Sequence, residues 1–138
     1  MAARIHDDNE LVFVDDDDVE LMLIERYLRS SRVQNPLRTF SSGEALIEYL
    51  QAIAGQTDRY PSLVLLDVRM PTMDGFEVVE AVRAMPAFTE LPMVVMFSNS
   101  DRPADRERAD QVGADGYVVK PSDGAEYVRF LDSLVAGK

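Results

Sequence analysis

At 138 residues the chain has room for one ordinary domain that buries about two thirds of the surface its unfolded form exposes, and for no second one. A formal net charge of −11, with basic residues scattered singly, would repel a phosphate backbone and argues against direct nucleic-acid binding. No apolar run is long enough to cross a bilayer, Met1 to Glu10 lacks the apolar stretch of a secretory signal, and the absence of cysteine excludes disulfides and thiolate metal sites, so a cytoplasmic globular protein without a membrane segment is expected.

Apolar runs of strand length alternate with stretches of helical period, the pattern of βα units on a parallel sheet. After a polar tail over 1–10, which holds the lone His6, the first strand is Leu11 to Val14. A helix follows over Val19 to Arg29, with Asp17 or Asp18 as its N-cap and Val19, Met22, Leu23, Tyr27 and Leu28 at core spacing. Leu37 to Phe40 is a short second strand. Ser41-Ser42-Gly43-Glu44 opens a second helix with Ala45, Leu46, Tyr49, Leu50 and Ile53 on its inner stripe, and Gly55 to Pro61 is a loop.

Leu63 to Leu66 is apolar at every position, the mark of a strand covered on both faces, and belongs at the centre of the sheet. A turn-rich loop runs from Met70 to Gly75, and Phe76 to Ala84 makes the third helix. Met93 to Phe97 is the fourth strand. Asp101 caps a fourth helix with Pro103 in its first turn and Gly113 at its end. Tyr117 to Val119 is the fifth strand, and Ala125 to Val135 the last helix, leaving a short tail over 136–138. The result is a single domain over 11–135, an α/β three-layer sandwich of five βα units with strand order 2-1-3-4-5.

Sheets of this kind bind ligands beyond the carboxyl ends of their strands. Asp15 and Asp16 follow the first strand, Asp67 the third, Ser98 the fourth and Lys120-Pro121 the fifth. Three carboxylates crowded at one sheet edge repel one another unless a cation lies among them, and oxygen ligands with room for water suit Mg²⁺. Asp67, at the end of the central strand, is the candidate nucleophile, since carboxylates form acyl phosphates. Asp16, with Asp15 directly or through water, would hold Mg²⁺ together with Asp67 and the backbone carbonyl of Arg69. Lys120 and the Ser98 hydroxyl would take phosphoryl oxygens, since phosphoryl transfer is catalysed by positioning and charge neutralisation. A cis bond before Pro121 would aim the ammonium inward. Each residue also has a plainer reading: Asp15 to Asp18 as a helix-capping acid run, Lys120 as a surface lysine, Ser98 as a turn hydroxyl, Asp74-Gly75 as a turn, Tyr117 as packing.

The motifs together resemble the receiver domain of two-component signalling, in the form of a stand-alone (CheY-like) response regulator. Val14-Asp15-Asp16 is similar to the family's acidic pair, Leu65 to Gly75 to its phosphorylation loop, and Gly113 to Pro121 to its lysine segment. The resemblance implies a flavodoxin-like fold, Mg²⁺-dependent transfer of a phosphoryl group from a histidine kinase to Asp67, and slow self-catalysed hydrolysis. It also implies a switch in which Ser98 moves toward the phosphoryl group and Tyr117 follows, altering the face of helix four, strand five and helix five, a face also open to homodimer formation. Counting forward from Pro92 to the family's hydroxyl position reaches Phe97, whereas counting back from Lys120 reaches Ser98. Ser98 is chosen because Phe97 donates no hydrogen bond. The acidic run and the long connection after helix two resemble the small regulators that serve phytochrome-type kinases.

With no output domain expected, the protein would act through a downstream target protein or a phosphotransfer protein, and its enzymatic activity would be limited to its own phosphoryl group. A haloacid-dehalogenase-type phosphatase is the enzymatic alternative, but that class resembles Asp-x-Asp and here Arg69 stands two beyond Asp67. Flavin binding is disfavoured by four acids in the loop after the first strand, and a scaffold indifferent to phosphate by the complete acid, hydroxyl and lysine set.

Overall fold

The computed structural model describes residues 4–136. Methionine 1 to residue 3 of the expected N-terminal tail and residues 137–138 of the C-terminal one lie outside the described residues. Five strands, β1 (Leu11–Val14), β2 (Leu37–Phe40), β3 (Leu63–Leu66), β4 (Val94–Ser98) and β5 (Gly116–Val119), form one sheet. Every pairing is parallel and the order is β2-β1-β3-β4-β5. The helices are α1 (Asp18–Arg29), α2 (Gly43–Ile53), α3 (Gly75–Ala84), α4 (Pro103–Val112) and α5 (Gly124–Ser133). This is the flavodoxin-like arrangement.

Strand alternation divides the core in two. Val12, Val14, Val64, Leu66, Val94 and Met96 face α2, α3 and α4, with Phe76, Val79 and Phe88 filling that layer. Leu11, Phe13, Leu63, Leu65, Val95 and Phe97 face α1 and α5 through Ile24, Leu28, Tyr127 and Leu131. A side chain buried to this degree contributes about 1.5–3 kcal/mol. β1, β3 and β4 are buried at every position, so the sheet is a rigid base for whatever leaves its carboxyl edge. The helices are unequal. α3 buries Gly75, Phe76, Val78, Val79 and Val82, whereas α4 buries only Ala109.

Local chemistry explains most boundaries. Asp17 caps α1 by accepting from the Val19 N–H, Ser42 caps α2, and Asp74 opens α3 in a reciprocal box with Glu77. Gly113 ends α4 in the left-handed region, at φ 99°. Three expectations change. Asp101 does not cap α4: the N-cap is Arg102, with no side-chain bond to the helix, because Asp101 is engaged with Arg106 at 2.7 Å. The inner stripe of α1 is set by Ile24, Leu28 and, half-buried, Tyr27, while Val19 and Met22 are 55% and 60% exposed. Packing against α5 selects that face. Finally, the Lys120–Pro121 bond is trans, and the cis bond among the described residues is Leu91–Pro92. Lys120 N–H donates to the Ser98 carbonyl at 2.7 Å, so continuation of the β5 ladder sets its direction.

The segment ahead of β1 is tied down. Ile5 is buried, its N–H bonds to the Leu134 carbonyl, and Asn9 donates to the Asp58 and Tyr60 carbonyls. On the far side, Arg83 joins four segments by donating to the carbonyls of Gly113, Phe88 and Pro92 and to Asp115. Its replacement by methionine is expected to cost about 2–3 kcal/mol in urea unfolding, because carbonyls partly removed from water lose their donors at once.

Candidate phosphorylation site

Register brings distant residues together. Val14 pairs with Leu66 across β1 and β3, and the Asp67 N–H bonds to the Val14 carbonyl at 2.9 Å, so Asp15 and Asp67 leave neighbouring strands at the same level. Ser98 pairs with Val119 across β4 and β5, which sets Lys120 immediately beyond it. Asp15, Asp16, Asp67, Arg69, Ser98 and Lys120 all line one open cleft of about 460 Å³. Ser98, buried at the end of β4, faces the cleft, whereas Phe97 packs edge-on against Phe13 and Tyr127 in the core. The hydroxyl rather than the ring therefore stands at the site.

Lys120 Nζ donates to Asp15 Oδ2 at 2.9 Å and lies 3.5 Å from Asp67 Oδ1. The Asp15 and Asp67 residues are 1% and 7% exposed, so this is a charge cluster largely withdrawn from water. Burial pushes the Asp67 carboxyl up to about 6, opposed by the Lys120 cation and reinforced by the charges of Asp15 and Asp16. Burial also works against the Lys120 charge, but its hydrogen bond to Asp15 and the charges of Asp67, Asp15 and Glu20 outweigh it and raise its pKa.

One carboxylate oxygen from each of Asp15, Asp16 and Asp67 lies within 4.8 Å of the others. An all-oxygen, acidic donor set with one exposed member fits a hard divalent cation and suits neither thiolate nor imidazole metals. Such a cation would supply charge neutralisation at the carboxylates. The loop after β3 is held close beneath it: the Gly75 N–H bonds to the Val68 carbonyl at 2.9 Å, and a Cβ on Gly75 would come within 2.5 Å of the Asp67 carbonyl oxygen. Only glycine permits α3 to start so near the acid.

A polar chain leads away from the cleft. Ser98 Oγ accepts from the Ser100 N–H at 3.1 Å, the Ser100 hydroxyl donates to Asp105 at 2.8 Å, and Arg69 reaches the same Asp105 oxygen at 3.2 Å. Tyr117, half-buried, donates its hydroxyl to the Ser100 carbonyl at 2.6 Å, with the Arg106 guanidinium 5.0 Å from its ring centre. Sequence reasoning missed Ser100, Asp105 and Glu20. Ser100 and Asp105 flank the start of α4 and could have been sought as a helix-entry pair. Glu20, in the first turn of α1 just after the acidic run, was open to a similar reading.

Fold and cleft together define a βα-sheet protein with an acid-and-lysine pocket at its carboxyl edge. The chain belongs to the response regulator receiver domain family, whose model matches residues 11–132. It is 34% identical over 125 residues to the transcriptional regulatory protein PrrA of Mycobacterium tuberculosis, covering 91% of this chain and 49% of that protein. The chain thus spans about half the length of that curated relative. Among solved structures, response regulator RPA3017 in red light signalling of R. palustris superposes with a TM-score of 0.80 at 29% identity, over 91% of this chain and 90% of that one. The bacteriophytochrome response regulator AtBRR does so with a TM-score of 0.71 at 26% identity, over 94% of each.

Proposed function

We propose that the protein is a phosphorylation-gated binding module that accepts a phosphoryl group on Asp67 from the phosphohistidine of a kinase, in a Mg²⁺-dependent reaction. The observation that carries this is the placement of the Asp67 carboxylate at the end of the central strand, 3.5 Å from the Lys120 ammonium and within 4.8 Å of two further carboxylates. An Asp67 oxygen attacks phosphorus, the phosphorus–nitrogen bond to the histidine breaks, and the imidazole leaves with that electron pair and takes up a proton. Asp15, Asp16 and the Arg69 carbonyl would hold Mg²⁺ with Asp67. Lys120 pairs with one phosphoryl oxygen and Ser98 donates to another.

The new charge then competes for Ser98 and Lys120, and the Ser98–Ser100–Tyr117 chain transmits the change to α4, β5 and α5. That face would bind a target protein, a phosphotransfer protein or a second copy of the chain. The similarity to RPA3017 and AtBRR supports a phytochrome-type histidine kinase as donor, which would place the reaction in the cytoplasm. No helix among the described residues is long and apolar enough to cross a membrane.

Incubation with Mg²⁺ and acetyl phosphate, followed by intact mass measurement, tests the reading. A phosphate-sized gain is expected in the parent and is lost in Asp67→Asn and on chelation. A gain that survives either change overturns the assignment, and turnover of added phosphoesters would favour a phosphatase instead.

A further inference from the structure

Two polar side chains have no role in that scheme. Glu20 lines the cleft, yet its Oε2 is buried without a hydrogen-bond partner among the described residues. Tyr127 on α5 is 4% exposed and its hydroxyl is likewise unpartnered. One is an acceptor and the other a donor. Their placement has plain causes. Glu20 lies in the first turn of α1, where Cα–Cβ bonds tilt toward the helix start and so toward the acids. Tyr127 is fixed by Tyr27 and Phe97, with ring centres 4.9 and 5.7 Å away.

We propose that Glu20 is an outer residue of the cation site, its carboxylate placed to accept hydrogen bonds from water carried by Mg²⁺. The inference rests on the proposed Mg²⁺ role above. Mg²⁺ surrenders its water reluctantly, so a carboxylate beyond the inner ligands meets the ion through hydrogen bonds, and residues so placed commonly tune metal affinity. Asp15, Asp16 and Asp67 supply oxygens close enough together to share an ion. Glu20 lines the same cleft with a buried acceptor oxygen that no protein group among the described residues occupies.

Calorimetric titration of Mg²⁺ into the full chain, with Mn²⁺ binding followed by electron paramagnetic resonance, tests this in the parent, Glu20→Gln and Asp18→Asn. Asp18 is exposed on the same turn, so Asp18→Asn removes an equal charge without touching the cleft. Glu20→Gln is expected to bind about 10-fold more weakly, since outer partners of metal sites carry effects of this order. Asp18→Asn should stay within about twofold, the scale of a screened surface charge. Circular dichroism confirms that each variant is folded. Parent-like affinity in Glu20→Gln, or an equal loss in Asp18→Asn, overturns the proposal. A parent that binds no Mg²⁺ overturns the cation site itself, a different result read from a different sample.

Discussion

Lys120→Met is expected to lower the free energy of unfolding by about 3–5 kcal/mol at pH 7 without divalent cations, the cost of removing one partner from a buried ion pair. The lysine side chain is 6% exposed and its partner Asp15 1%, so the charge left behind cannot recover its hydration. Asp15 keeps the Asp17 N–H at 3.0 Å, one hydrogen bond against the loss of a full cation. Because Lys120 titrates above its ordinary 10.5, its contribution is complete below that value and is lost only as pH rises through the raised one. The whole neutral range therefore shows the deficit. Urea unfolding at pH 7 measures it, and millimolar Mg²⁺ should restore part by giving the carboxylates another cation. A change under about 1 kcal/mol, the scale of an exposed pair, would contradict the burial argument.

Asp67→Asn should act in the opposite direction. In the folded protein the Asp67 carboxyl is pushed from 3.8 up to about 6, so its ionised form is disfavoured by folding. That cost is absent below pH 4, grows as pH rises from about 4 to 6, and is complete above. The interval corresponds to roughly 3 kcal/mol, an upper figure for a group that opens onto a wet cleft. At pH 8 without Mg²⁺ the asparagine variant should therefore be the more stable of the two, and at pH 4 the two should converge. Added Mg²⁺ should stabilise the parent more than the variant. Paired urea curves at the two pH values decide it, and a variant no more stable at pH 8 than at pH 4, relative to parent, would sink the account of Asp67 as a strained carboxylate. Stability is here set against chemistry, since the substitution that relieves the fold is the one expected to abolish phosphorylation.

Strands were the most legible part of the chain. Leu63 to Leu66 has no polar position to confuse its period, and once β1 and β3 are neighbours the register carries Asp15 and Asp67 to one edge without further information. Lys120 and Ser98 follow by the same logic from β4 and β5. Helix faces were less legible where apolar residues are crowded. From Val19 to Ile24 five of six residues are apolar, so no period singles out the inner stripe, and contact with α5 chooses Ile24 and Leu28. Ile5 acts through Leu134, and Arg83 through groups outside its own helix, the carbonyls of Phe88, Pro92 and Gly113 and the Asp115 carboxylate. No local pattern marks such residues. Tyr127 reads as an ordinary core aromatic until its hydroxyl is seen buried without a partner.

The uneven anchoring of the helices has a mechanical consequence. With Ala109 its one fully buried side chain, α4 is fastened mainly by polar ties at its entry, where Asp105 receives Ser100 and Arg69. Such ties can be traded for others at little net free energy, whereas shifting α3 would uncover a wedge of large hydrocarbon groups. Any redistribution of charge at the acids thus finds compliance on one side of the molecule and stiffness on the other. If Asp67 is phosphorylated as proposed, the domain would yield along this softest seam, and the new charge would be converted into displacement with a fixed direction.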